Sequence, residues 1–306
     1  MKSRSLAHLQ LRQREPVRDG LLRIAASLAP SHPPEIPKDP AATAALVHQT
    51  RLALKQSRAL LRLLRASLGR EIATRINTPL QSASKRLAPN RDATVVLHWL
   101  DQLATAPKKT RIPGVSDIRS ALNAQPKSTV PTSAALARNL TQADRTLRRT
   151  AAALAKADWK HRGWAILASG IQAGYRRSRK RYQSAQKRSD PATFHSWRTA
   201  SKSLFYQLAI LRPIAPRRIS RLLDDLNALQ STLGAANDLS LLAQRIQSDP
   251  KAFGDIPTIQ QALNSITRQG RKLHATALKL GKPIYSERTS RFVARLAKEW
   301  KAWRKS

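Results

Sequence analysis

Charge imbalance limits what this chain can fold into more than any single motif does. Its 306 residues carry 56 Lys and Arg against 18 Asp and Glu, a formal net charge of +38. Self-repulsion on that scale opposes a compact state unless anions offset it. Yet 41% of the residues are hydrophobic, enough in a chain of this length for a sizeable core, so disorder throughout is excluded. A folded protein this basic implies a polyanionic partner: nucleic acid, an acidic membrane surface or inorganic polyphosphate.

The chain has no Cys, which excludes disulfides, thiolate metal sites and Cys nucleophiles and suits a reducing compartment. The N-terminal MKSRSLAHLQLRQREPVRDG lacks the apolar run of a secretory signal, and no uncharged stretch approaches membrane-spanning length. A cytoplasmic protein with no membrane partner is the expectation.

Gly is scarce, Ala, Leu, Arg, Gln and Lys dominate, and β-branched alternation is nearly absent, so the fold class is all-α. Prolines 30 to 40 separate a helix at about 15–29 from one running from Ala41 to Gly69, a plausible C-terminal stop. Shorter helices follow at about 79–88, with Thr78 as N-cap before Pro79, and at about 92–105. The Pro-, Lys-, Ser- and Thr-rich stretch 106–131 reads as a connector between halves of about 15–105 and 132–303, with residues 1–14 as a tail. Helices resume at about 132–157, 164–188, 191–212, 216–233, 237–248, 257–280 and 286–304, and Asp190-Pro191 marks one start well.

The halves share a signature. His48, Arg51 and Lys55 have the spacing of His195, Arg198 and Lys202, and Asn90-Arg91-Asp92 follows the first set as Asn237-Asp238-Leu239 follows the second. A duplicated helical unit accounts for the agreement.

At roughly 100° per residue, Arg51, Lys55, Arg58, Arg62 and Arg65 share an arc beside His48, while Leu60, Leu61, Leu64 and Leu68 lie opposite. A solvated face would mix signs, yet no acid occurs between Ala41 and Gly69. The stripe therefore suits a polyanion, and guanidinium forks suit phosphate oxygens. The second copy repeats the arc with His195, Arg198, Lys202 and Arg212, but Phe205 stands where the first has Arg58. Phe205 is read as a packing residue, and Tyr206 either offers a hydroxyl to an anion or packs. Matching rows occur at Arg176, Arg179, Lys180 and Lys187, at Arg138, Arg145, Arg149 and Lys156, and at Arg288, Arg291, Arg295 and Lys298.

With VHQTRLALKQSRALLRLLR (47–65), FHSWRTASKSLFYQLAILR (194–212), GYRRSRKRYQSAQ before the second and LQSTLGAANDL after it, the sequence resembles the CHAD family, the conserved histidine α-helical domain. The resemblance covers about residues 15–303. It implies a single helical bundle of two pseudo-symmetric halves around a basic central groove or pore. It further implies binding of inorganic polyphosphate and, in bacteria, association with polyphosphate granules. Carried over residue by residue, the ligand positions are His48, Arg51, Lys55, Arg58, Arg62, Arg176, Arg179, Lys180, His195, Arg198 and Lys202, with Phe205 departing from the pattern. Phosphates beside the histidines would favour the imidazolium and make binding pH-sensitive.

Two other functions compete. Nucleic acid would be drawn by the same charge, but aromatics are only 5% and lie mostly on core faces, so base-stacking platforms are poorly supported. A phosphohydrolase or phosphotransferase would use His48 or His195 with Asp92 or Asp238. The chain lacks a phosphate-binding Gly-x-x-x-x-Gly-Lys loop, an H-E-x-x-H motif and clustered carboxylates for Mg²⁺, and both aspartates read as helix N-caps. No catalytic residue, metal or cofactor is expected, and the oligomeric state is left open.

Overall fold

The computed structural model describes residues 3–30, 35–88, 120, 133–248, 250–253 and 255–306. Among these residues there are nine α-helices and no strand, as expected for an all-α chain. The helices are α1 (Val17–Ser27), α2 (Pro40–Leu68), α3 (Arg70–Arg86), α4 (Ser133–Lys156), α5 (Trp164–Lys187), α6 (Pro191–Ile210), α7 (Pro216–Ser248), α8 (Ile256–Ile284) and α9 (Thr289–Lys305). The expected helix at 92–105, the connector 106–131 and the Asn90-Arg91-Asp92 signal lie outside the described residues.

Local chemistry sets several starts. The Asp39 carboxylate accepts from the Ala42 N–H at 2.7 Å and Asp190 from the Thr193 N–H at 2.8 Å, each ahead of a proline in the first helical turn. Asp255 does the same for Thr258 at 3.1 Å. These contacts satisfy donors that the helix itself leaves open.

Two boundaries differ from expectation because packing overrides local signals. Thr78 caps nothing: α3 runs through Pro79, and the Thr78 hydroxyl donates back to the Thr74 carbonyl at 3.0 Å. Buried Ala73, Ile76, Leu80 and Ala83 keep one face continuous across the proline, outweighing a local cost of about 3 kcal/mol. Likewise α7 does not break at 233–237. Leu229, Leu233, Ala236, Leu239 and Leu242 carry the buried face past Gly234, whose interior cost is only about 1 kcal/mol.

The N-terminal residues, expected as a tail, also take part in the core. Ser3–Leu9 forms a 3₁₀ helix, Leu6, Leu9 and Leu11 are buried, and the Leu11 N–H donates to the Ile210 carbonyl at 3.2 Å. The C-terminal helix holds this segment from outside: Gln13 donates to the Trp303 carbonyl at 2.7 Å, and Arg304 donates to the Gln13 and Glu15 carbonyls.

At the centre, α6 packs against α2, α5 and α7, and its second half from Ser203 to Ile210 is buried on every side. Helix α5 packs against α2, α6, α8 and α9. It approaches two of them through glycines: a Cβ at Gly170 would run into the Leu63 carbonyl of α2, and one at Gly174 into the Gln207 side chain of α6. An aromatic layer of Tyr175, Tyr182, Trp197, Tyr285 and Phe292 seals the opposite side of α5, with Tyr175 stacked on Phe292 at 4.1 Å. No helix among the described residues is long and apolar enough to cross a membrane.

Candidate anion-binding groove

Helices α2 and α3 form a hairpin that turns at Gly69, so the basic stripe of α2 runs beside α3. Along that seam, Arg51 donates to the Leu87 carbonyl just past the end of α3, and Arg58 Nε donates to Asn77 Oδ1 at 3.2 Å. His48 is exposed near the start of α2, and Lys55 is half-buried. The stripe then reaches Arg62, where α2, α3, α5 and α6 leave open space between them.

That space consists of three adjoining hollows of about 400, 220 and 180 Å³, all bordered by Arg62 of α2 and Arg177 of α5. The largest is walled also by Arg65, Arg70, Gly174, Ser203 and Gln207. The second adds Arg181, His195 and Thr199, and the third Thr74 and Asn77. Sharing two arginines, the hollows form one groove. Among the described residues, no carboxylate lines it.

The glycines of α5 explain how the groove is built. Gly170, Gly174, Arg177 and Arg181 are spaced by four, three and four residues, so they share one face. Where the face is bare, α2 and α6 close in on α5; one turn further on, the same face carries guanidinium groups.

These cations crowd one another. The Arg62 guanidinium is pulled down to about 10, first by burial and then by the like charges of Arg58 and Arg177. Arg58 is pulled down by burial as well. A half-buried cation pressed by two others, with no carboxylate beside it among the described residues, is stabilised by any anion that enters the groove.

His195 faces the second hollow from the N-terminal half of α6. Its Nδ1 lies 2.7 Å from Asn237 Oδ1 on α7. Arg198 lies against α7 at Gly234, where a Cβ would sit 3.8 Å from its Nε. Arg198 and the half-buried Lys202 border none of the three hollows. Asp238 is not an N-cap: it is a buried residue in the interior of the uninterrupted α7, adjacent to Asn237, whose amide donates to it at 3.4 Å.

Among the eleven positions carried over from the resemblance, Arg62 and His195 meet in the groove, and Arg58 adjoins it. Arg176, Arg179 and Lys180 project from a different face of α5, where Arg176 and Lys180 are exposed and Arg179 donates to the Tyr285 carbonyl at 3.1 Å. The face of α5 that borders the hollows carries Arg177 and Arg181, which are not among the carried-over positions. The Gly170 to Arg181 spacing would have found them. Phe205 is buried edge-on against Tyr206 at 5.4 Å, so it is a core residue, as is Tyr206. The rows at Arg138, Arg145, Arg149 and Lys156 and at Arg288, Arg291 and Lys298 are exposed, while Arg295 pairs with Glu287 at 2.6 Å.

The family model for the CHAD domain matches residues 14–247, which takes in α1 to α7 nearly to its end and every groove residue named above. No curated protein sequence matches the chain.

Proposed function

Because the chain belongs to the CHAD family, we propose that it binds inorganic polyphosphate in the groove between α2, α3, α5 and α6, as a non-catalytic protein associated with polyphosphate granules in the cytoplasm. The observation that carries the proposal is Arg62, half-buried between Arg58 and Arg177 in a groove whose described walls hold no carboxylate. Such a site lacks negative charge, and a linear polyphosphate supplies it as a row of oxygens that forked guanidinium groups match. Ser203, Thr199 and Asn77 add neutral hydrogen-bonding groups to the walls. Arg62, Arg177, Arg181 and His195 are the central contacts, with Arg58, Arg65 and Arg70 flanking them. His48, Arg51, Lys55, Arg198 and Lys202 extend the charge along α2 and α6. No step of bond making or breaking is assigned to any of them.

Nucleic acid is the second choice. Among the described residues, the walls hold arginines and small polar side chains and no aromatic ring apart from His195, so they offer phosphate contacts with little stacking platform for bases. Titration with long polyphosphate, orthophosphate and duplex DNA at two salt concentrations tests the assignment. Long polyphosphate should bind tightest at both, and duplex DNA that resists displacement by polyphosphate would reverse the order.

A further inference from the structure

His195 is held by one of its two ring nitrogens. Asn237 directs its amide NH₂ toward Asp238 Oδ1 at 3.4 Å, which leaves its carbonyl oxygen toward His195 Nδ1 at 2.7 Å. A carbonyl oxygen only accepts hydrogen bonds, so Nδ1 carries a proton. Nε2 is then the nitrogen left for the hollow that His195 shares with Arg62, Arg177 and Arg181.

This has a chemical consequence. A neutral ring held through Nδ1–H shows a lone pair at Nε2, which repels a phosphate oxygen. Only the imidazolium donates from both nitrogens at once. The charges around the ring set the balance. Arg62 faces it from α2 and Arg177 and Arg181 from α5, with Arg198 and Lys202 on its own helix and Asp238 behind Asn237 on α7. On α8, His274 stacks on the neighbouring Phe194 at 3.7 Å. A polyanion bound beside the ring favours the imidazolium.

We infer that Asn237 is a positioning residue that fixes His195 as the Nδ1–H form, so that polyphosphate entering the groove draws a proton onto His195 Nε2. The inference rests on the polyphosphate reading above and adds an atom, a partner and a proton to it. Affinity should hold on the acidic side, where the imidazolium donates from both nitrogens, and fall as the pH rises.

Nitrogen-15 NMR of the full chain without ligand tests the geometry first: neutral His195 should carry its proton on Nδ1, and in Asn237→Ala the proton should shift toward Nε2. Calorimetry with long polyphosphate in two buffers of different ionisation enthalpy then tests proton uptake. The wild type should take up a proton on binding near neutral pH, and His195→Gln should lose that uptake. Asn237→Ala should bind about tenfold more weakly at acidic pH. Asn237→Asp, which keeps the acceptor and adds a charge, should bind as the wild type does at acidic pH and move the loss of affinity to higher pH. An Nε2–H form of neutral His195 in the wild type, or an Asn237→Ala protein with unchanged tautomer and pH profile, overturns the inference. Absence of polyphosphate binding at every pH overturns the functional reading, and the proton uptake with it, while the ligand-free spectrum still decides the role of Asn237.

Discussion

Residue by residue, this protein's unusual feature is a set of cations placed where they disturb one another. Arg62 combines burial with two like-charged neighbours, which is costly in the absence of ligand and useful in its presence. Arg62→Met should therefore stabilise the ligand-free protein by about 1 kcal/mol in chemical denaturation and weaken polyphosphate binding by at least about tenfold. Loss of stability together with intact binding would show that Arg62 serves the fold instead. The tyrosines give a second test. Burial pushes the phenols of Tyr175, Tyr206 and Tyr285 up to about 12 from an ordinary value near 10. A raised value in the folded state means that the stability contributed is complete below pH 10 and is lost as the pH climbs toward 12. Alkaline unfolding followed by circular dichroism should begin in that window, and Tyr206→Phe should move its onset to higher pH.

Among the elements, α5 decides whether the groove exists. Its bare positions allow backbone contact with α2 at Leu63 and side-chain contact with α6 at Gln207. Gly170→Ala should destabilise by about 1–3 kcal/mol, because the obstacle is the Leu63 main chain, which cannot swing aside. Gly174→Ala meets the end of a glutamine side chain and should be milder. Urea denaturation of both variants would check the order. These contacts also set apart the two basic rows of this helix. Arginine spacing alone marks two stripes on α5, and only its neighbours reveal that one faces α2 and α6 while the other reaches Tyr285 and the surface.

For the whole molecule, the +38 charge acts as a single field. An anion that binds only the folded chain stabilises it by mass action, by about 2.7 kcal/mol at a hundredfold excess over its dissociation constant. Polyphosphate should thus raise the thermal midpoint, orthophosphate at equal phosphorus should raise it less, and added salt should erode both shifts. Equal shifts from the two ligands would argue against a groove built for a polymer.

The helical fold class, the capped starts at Asp39 and Asp190 and the acid-free stripe on α2 were legible in the residues themselves, because each depends on interactions within a few positions of the chain. The CHAD family was legible as well, since its histidine helices can be read as strings. The passage of α3 through Pro79, the unbroken α7 and the placing of Arg177 and Arg181, instead of Arg176, Arg179 and Lys180, beside the hollows were decided only by the tertiary structure. Each depends on which helix lies across from which. The free energy of burying one long face against another exceeds the local cost of a proline or a glycine, and it is not written in any short stretch of sequence.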